Sequence, residues 1–348
     1  MSGGVDSSVA AALLAEQGHD VIGLSMQLYD QSGEQTFGSC CSIEDLYDAR
    51  RVAMAINIPH YILNFEKQFG EHVVSNFVRE YAAGRTPLPC AHCNSDLKFT
   101  TLLERATGLG ADAVATGHYA RVERTARGTF QLKRGVDGAK DQSYFLFSLT
   151  QDQLARAIFP VGDRPKDSVR AYAHHRNLPV AAKPDSQEIC FIPDHDYATF
   201  VTKHSPDLPG HGDVVDEHGR VLAQHAGIHR FTVGQRKGLG LPSSPSGAPM
   251  YVLALRPDDR QVVVGPKTSL ERTTLSATSV NWIEGAPTCA VRATVQIRHR
   301  HPPAAATVRS TGDGRADVVF DTPQIAVTPG QAAVFYDGEA VIGGGWIE

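Results

Sequence analysis

Two groups of residues in the 348-residue sequence have the types and spacing to do chemistry. The first is a run of small residues, Ser2-Gly3-Gly4-Val5-Asp6-Ser7-Ser8, that leads into an apolar, alanine-rich stretch. Gly3 and Gly4 permit backbone angles that let N–H groups approach a ligand closely. Ser7 and Ser8 add hydroxyls at the start of a helix, whose N-terminus presents unpaired N–H groups and partial positive charge to a phosphate. The run lacks the GxxxxGK[ST] pattern of the ordinary phosphate loop. With Asp6 and no lysine, it fits a grip on the pyrophosphate of ATP that leaves the α-phosphate open to attack. Helix capping alone also selects Ser, Gly and Asp. The complete run followed by an apolar helix favours the phosphate reading.

The second group is the thiols. The six cysteines are Cys40, Cys41, Cys90, Cys93, Cys190 and Cys289. They are too few and too scattered for a disulfide scaffold, and they suit a cytoplasmic protein with reactive or metal-binding thiols. Leu88-Pro89-Cys90-Ala91-His92-Cys93-Asn94 is a proline-braced loop ahead of a helix that carries Lys98. A thiol near a helix N-terminus and cationic groups ionises more readily and is more nucleophilic. Cys190 follows the charged turn Asp185-Ser186-Gln187-Glu188. Isolated cysteines are otherwise small buried hydrophobes, which is the reading for Cys289, Cys40 and Cys41.

These residues need elements to position them. In the first half, helical and strand periods alternate: helices over 8–17, 43–56, 66–83 and 96–107, strands over 21–28, 60–64 and 112–116. That alternation predicts a doubly wound parallel sheet covered on both faces. Residues 84–94 read as a loop. A hairpin over 119–122 and 129–133, and helices over 150–158 and 165–177, follow. Beyond residue 210 short strands dominate (213–221, 229–233, 250–255, 261–265, then 289–296, 305–310, 316–320 and 332–337), implying a small β domain and a β-barrel. The expected domains are 1–205, 206–270 and 271–348.

Composition sets limits. At 42% hydrophobic residues the chain can bury sizeable cores, and its length implies two or three domains. No apolar run approaches the ~20 residues of a membrane span. The sequence starts inside the loop motif, with no signal peptide and no residues for the buried strand that normally precedes such a loop. The expectation is a sheet short of that member. A net charge of −5 excludes a uniformly basic nucleic-acid binder. One local patch stands out: residues 286–311 hold four Arg and no acidic residue, although 281–348 as a whole has five Arg against seven Asp or Glu. Its centre is the strand end Arg298-His299-Arg300-His301, which can neutralise phosphates.

Taken together, SGGVDSS at 2–8, CCSIEDLYDARRVA at 40–53, PCAHCNSDLKF at 89–99, ATGHYAR at 115–121, KDQSYFL at 140–146, DSQEICFI at 185–192 and GQRKGLG at 234–240 resemble the tRNA-specific 2-thiouridylases of the ATP-pyrophosphatase group. The resemblance spans nearly the whole chain. It implies an α/β ATP domain, a small central β domain and a C-terminal β-barrel. It implies thiolation at position 2 of the wobble uridine in tRNAs for Lys, Glu and Gln, using ATP and Mg²⁺. By the same resemblance Cys190 takes a persulfide from a sulfur-carrier protein or cysteine desulfurase. Cys93 attacks it, and a transient Cys93–Cys190 disulfide forms. Ser2, Gly3, Gly4, Val5, Asp6, Ser7, Ser8, Met26 and Gly117 match ATP contacts. Leu88, Pro89 and Cys90 match the stretch facing the target base. His118, Lys140, Asp141, Gln142, Arg298, His299 and Gln331 match tRNA contacts. From the residues alone, Met26 is core packing and Lys140-Asp141-Gln142 a solvated turn.

One position departs from the pattern. Many relatives carry Asp where this chain has Cys90, which weakens the persulfide scheme. Cys90, Cys93 and Cys190 together could hold a four-iron–four-sulfur cluster with one open iron. Two other readings are weighed: another ATP-pyrophosphatase ligase acting on a small molecule, which needs neither Cys93 nor Cys190, and a non-catalytic tRNA-binding protein.

Overall fold

Helix α1 (Val5–Glu16) is apolar on every side, and Val5, Ser8 and the whole run from Val9 to Leu14 are buried. A helix without a polar face belongs inside a core. It ends where Gly18 takes φ +84° and the His19 N–H donates to the Leu14 carbonyl at 3.1 Å. The computed structural model describes residues 1–29, 42–185, 189–192, 196–205, 208, 210–241 and 248–348. Cys40 and Cys41, part of the 234–247 loop and part of DSQEICFI lie outside them.

The remaining elements follow in chain order: β1 (Gly23–Gln27), α2 (Ile43–Ala55), β2 (His60–Asn64), α3 (Glu66–Phe69), α4 (Ser75–Ala82), α5 (Pro89–His92), α6 (Leu102–Gly108), β3 (Val114–Ala115), β4 (Ala120–Arg124), β5 (Phe130–Arg134), α7 (Gln151–Leu154), β6 (Ala157–Ile158), α8 (Lys166–His175) and α9 (Tyr197–His204). Strands β7 (Gly212–Val215), β8 (Val221–His225), β9 (Tyr251–Arg256), β10 (Gln261–Gly265), β11 (Glu271–Trp282), β12 (Val291–Gln296), β13 (Ala304–Gly312), β14 (Arg315–Ile325), β15 (Ala332–Asp337) and β16 (Ala340–Ile347) complete the chain.

The chain forms two units, one of Met1–Val74, Pro89–Asp196 and Glu339–Ile342, the other of Ser75–Leu88, Tyr197–Gly338 and Gly343–Glu348. In the first, β1 pairs in parallel with β2, Met26 opposite Leu63, and β3 pairs in parallel with β6, Val114 opposite Ala157. Among the described residues no strand joins the two pairs. Met1 lies beside β1: its amino group donates to the Leu24 carbonyl, and its carbonyl accepts from Ser25 Oγ at 2.6 Å. Helices α1 and α8 share a core of Val5, Val9, Leu13, Tyr119, Val161 and Val169. Strands β4 and β5 form the expected hairpin, with Gly128 at φ +86° in its turn.

In the second unit β8, β7, β10 and β9 form a four-stranded sheet over Val214, Phe231, Val252 and Val262. Strands β11-β14-β13-β12-β15-β16 run in that order and close into a six-stranded barrel by β11–β16 pairing, Ala277 opposite Ile347. Closure leaves no open edge. No helix among the described residues is long and apolar enough to cross a membrane.

Several local expectations are corrected. Residues 89–94 are helical: α5 starts at Pro89, and a π-helical stretch, Cys93–Thr101, carries the chain into α6. Proline is suited to a first helical turn, so Pro89 begins the helix rather than excluding it. The 66–83 helix is interrupted by a π-helical turn at Gly70–Val74. The 150–158 helix stops at Leu154, and Ala157–Ile158 joins the sheet instead. Residues 229–233 are not a strand; Ile228–Arg230 is a 3-10 turn. Cys289 is exposed rather than buried. Arg298–His301 is the turn after β12 rather than its end: the His301 N–H donates to the Arg298 carbonyl at 3.2 Å, and Arg300 has φ +61°.

Candidate functional site

The glycine loop and the helix it feeds are fixed from three directions, all within the first unit. Gly4 caps α1 in an extended conformation, and Ser8 Oγ and Ser7 Oγ donate to its carbonyl at 2.8 and 3.2 Å. The Ser2 N–H donates to Ser7 Oγ at 3.1 Å. Gly3 has φ +70°, and a β-carbon there would collide with the Asp45 carbonyl. A glycine at position 3 is therefore demanded by the close approach of α2's backbone as well as by its backbone angle.

The second direction is the segment after β3. A β-carbon on Gly117 would lie 2.6 Å from both the Asp6 carbonyl carbon and the Ser7 nitrogen. Next to it, Tyr119 OH donates to Asp6 Oδ1 at 2.8 Å. Burial first, and then the Asp6 carboxylate, push the Tyr119 phenol far above its ordinary range, so it stays protonated and donating. Between them, His118 Nδ1 is 2.7 Å from Thr116 Oγ1. Burial, helped by the charge of Lys98, holds His118 well below the usual imidazole range and hence neutral.

The third direction is a pair of lysines. Lys166 is buried, and its Nζ lies 2.7 and 2.9 Å from the two Asp6 oxygens and 2.8 Å from Asp185 Oδ1. Lys183 Nζ donates to Asp45 Oδ1 at 2.5 Å, to Asp48 Oδ2 at 2.6 Å and to the Gly3 carbonyl at 3.2 Å. Ammonium groups withdrawn from water need such partners to offset desolvation. Ser42 and Asp45 form a reciprocal capping box at the start of α2, which holds Asp45 in place for Lys183.

The thiol helix has its own supports. Cys90 is exposed, Cys93 half-buried, and Leu88 and Pro89 buried. Asn94, buried directly after Cys93, donates from Nδ2 to the Phe145 carbonyl at 3.1 Å and accepts from Lys98 Nζ at 2.9 Å. Burial raises the Asp96 carboxyl, but hydrogen bonds from His92 and Ser95 outweigh it and hold the group below its ordinary value. Cys190 is half-buried, and its carbonyl accepts from Tyr29 OH at 3.3 Å, just past the end of β1. No disulfide joins the described cysteines. Met26 is half-buried, next to last in β1.

Lys140, Asp141 and Gln142 are not a solvated turn. Lys140 Nζ pairs with Asp185 at 2.7 Å, Asp141 with Arg134 at 2.7 Å, and Gln142 Oε1 accepts the Tyr119 N–H at 3.0 Å. In the second unit Gln331 Nε2 donates to the carbonyls of Thr86 and Pro87 at 3.1 and 3.2 Å. Arg298 and His299 are exposed in the β12–β13 turn.

The structure thus brings Gly117 to the glycine loop. It adds residues that sequence reasoning did not single out: Tyr119, Lys166, Lys183 and Asp185. Tyr119 and Asp185 lie inside the motifs ATGHYAR and DSQEICFI, and that was the available signal. Lys166 and Lys183 stand in no motif, and only the fold gathers them. Among the described residues no three His, Cys, Asp or Glu side chains form a metal-holding group, so Cys90, Cys93 and Cys190 do not present a ready cluster site.

Family models match the chain in three successive pieces: a tRNA methyl transferase HUP domain over residues 1–194, a tRNA methyl transferase PRC-barrel domain over 198–266 and an aminomethyltransferase β-barrel domain over 272–347. The tRNA-specific 2-thiouridylase MnmA of Geotalea uraniireducens is 52% identical over 354 residues, covering 100% of this chain and 93% of its own. That of Solibacter usitatus is 52% identical over 365 residues, covering 100% and 98%, and that of Magnetococcus marinus 50% over 350 residues, covering 100% and 97%. With identity at this level along its entire length, the chain belongs to the tRNA-specific 2-thiouridylase family.

Proposed function

We propose that the protein exchanges the C2 oxygen of a wobble uridine in tRNA for sulfur, at the expense of ATP. The observation that carries this is the glycine loop at the start of α1, where Gly117 packs against the Asp6–Ser7 peptide and Tyr119 and Lys166 fix the Asp6 carboxylate. Ser2, Gly3, Gly4, Val5, Asp6, Ser7 and Ser8 hold the polyphosphate, with Met26 and Gly117 beside the nucleoside. Mg²⁺ offsets the phosphate charge. It takes most of its ligands from phosphates and water, so it needs only one or two protein oxygens rather than a protein cage.

The uridine C2 oxygen attacks the α-phosphorus and pyrophosphate departs. A sulfur nucleophile then adds at C2, and AMP leaves with the oxygen. Cys190 receives the sulfur as a persulfide from a sulfur-carrier protein or cysteine desulfurase. The Cys93 thiolate attacks the Cys190 sulfur, hydrosulfide is released, and the Cys93–Cys190 disulfide that remains is reduced by an external dithiol. Leu88, Pro89 and Cys90 face the base. His118, Lys140, Asp141, Gln142, Arg298, His299 and Gln331 serve the tRNA, with Lys140, Asp141 and Gln331 acting partly through the contacts they make inside the protein. The segments 1–205, 206–270 and 271–348 correspond to catalysis, a central β domain and tRNA contact. The methyl transferase description of the matching family does not alter this reading, because a glycine loop for ATP and paired thiols are tools of oxygen activation and sulfur delivery.

The experiment is reconstitution of the purified chain with tRNA, ATP, Mg²⁺ and a persulfide donor, followed by nucleoside mass spectrometry. 2-Thiouridine, AMP and pyrophosphate appear together. Cys93→Ser and Cys190→Ser lose 2-thiouridine while retaining ATP binding. Retained 2-thiouridine in the tRNA of a deletion strain overturns the proposal. Full activity of both serine variants returns the chain to a thiol-independent ligase. Iron and sulfide assays on anaerobically purified protein separate the persulfide route from a cluster held by Cys90, Cys93 and Cys190.

A further inference from the structure

Lys166 occupies an unusual place for a lysine. Its side chain is 8% exposed, and its single ammonium is shared by two carboxylates from distant parts of the first unit, Asp6 at 2.7 Å and Asp185 at 2.8 Å. Asp6 belongs to the glycine loop. Asp185 lies five residues before Cys190. Asp185 also takes Lys140 at 2.7 Å and Arg170 at 2.6 Å, so it is the anionic hub of three cations. Two residues earlier in the chain, Lys183 bonds the Gly3 carbonyl at 3.2 Å. The stretch that leads into Cys190 is therefore fastened to the glycine loop at both ends of Lys183–Asp185, by charges that polyphosphate would disturb.

We infer that Lys166 is a positioning residue that couples the glycine loop to the Cys190 segment, so that nucleotide bound at the loop changes the reactivity of the Cys190 thiol. This rests on the reading of the loop as the ATP site. The cause is competition. Lys166 already touches the loop carboxylate, and anionic phosphate arriving there draws on the same ammonium that holds Asp185. Asp185 keeps Lys140 and Arg170, so its tie to the glycine loop weakens while Asp185 itself stays held. The consequence for the reaction is order: the sulfur-bearing thiol becomes most accessible when ATP is in place.

The test measures iodoacetamide alkylation of Cys190 by peptide mass spectrometry, with and without Mg–ATP, beside direct measurement of ATP binding by equilibrium dialysis. ATP raises the Cys190 rate roughly threefold, the scale of one partly exposed ion pair. Lys166→Met binds ATP more weakly and, at ATP concentrations that equilibrium dialysis shows to saturate it, gives no ATP response at Cys190, and Lys166→Arg restores the response. Asp185→Asn, which leaves the Asp6–Lys166 pair in place, also abolishes the response and serves if Lys166→Met does not fold. ATP binding with no change at Cys190 in the unaltered protein overturns the inference and leaves the ATP site standing. A full ATP response in Lys166→Met or Asp185→Asn overturns it equally. Absence of ATP binding in the unaltered protein overturns the ATP site itself, and the inference with it.

Discussion

Gly117 and Ser7 are in backbone contact across more than a hundred residues of sequence: a β-carbon at position 117 would stand 2.6 Å from the Ser7 nitrogen. The obstacle is peptide backbone at the buried start of α1, which cannot rotate away. Gly117→Ala is expected to push the glycine loop out of place and to cost about 1–3 kcal/mol of stability, the usual range for overpacking. ATP affinity should fall further than stability does, because the displaced atoms are the ones that would meet phosphate. Calorimetric ATP titration beside a thermal melt checks this. An alanine variant with unaltered ATP affinity would show that the contact has no bearing on the nucleotide.

The Lys183 ammonium faces two carboxylates that are nearly excluded from water, with Asp45 at 6% and Asp48 at 7% side-chain exposure. Burial raises the Asp48 carboxyl, but hydrogen bonds from Lys183 and Arg51 outweigh it and keep the group below its ordinary value. Lys183→Met keeps the length of the side chain, removes the cation of Asp45 and leaves Asp48 with Arg51 alone. The expected loss is on the order of 3 kcal/mol, typical of breaking a buried ion pair from one side. Urea denaturation of the two proteins measures it. Adding Asp45→Asn to Lys183→Met should recover part of the loss, which a purely steric effect of methionine would not allow.

Much of this arrangement was legible in the sequence where the signal was local. The loop, the helix behind it, the Ser42–Asp45 capping box and the β4–β5 hairpin depend on neighbours in the chain, and the structure has them. The thiol helix was misread because Pro87 and Pro89 weigh against helix in general, whereas proline at the first turn weighs for it. Strand β16 went unseen because Gly343-Gly344-Gly345 carry no alternating pattern; β-carbons at Gly343 and Gly345 would crowd the backbone of β11. Lys166 and Lys183 were illegible for a different reason. Their partners are far away in sequence, and no spacing rule connects them.

Histidine burial sets the pH dependence of stability. Burial holds His118 well below the ordinary imidazole value, and it also lowers His60, His225, His229 and His301. In the unfolded chain these rings accept protons near pH ~6.5. Below that pH the unfolded state binds more protons than the folded one, so stability falls as pH falls. The melting temperature should therefore drop between pH 7.5 and 5.5. His118→Asn, which preserves an acceptor or donor toward Thr116, should show a smaller drop than the unaltered protein. A flat profile across that interval would contradict the burial of these rings as neutral groups.

The basic turn after β12 makes the last prediction, and the structure narrows it. Of the four arginines in 286–311, Arg292 is held by Asp321 through contacts of 2.9 and 2.5 Å, so its charge is largely neutralised. Arg298 and Arg300 sit in the turn itself and are exposed. Cations that meet phosphates release counterions, and the affinity then falls with added salt in proportion to the number of contacts. Replacing Arg298 or Arg300 by alanine should weaken tRNA binding and flatten the log–log salt dependence by about 0.8 for each arginine that meets a phosphate. Arg292→Ala should leave that slope unchanged, because removing a charge already paired with Asp321 removes no phosphate contact. Filter binding of the three variants over a range of salt concentrations distinguishes them. Equal slopes for all three would mean that the turn is not where tRNA meets the barrel, whatever its charge.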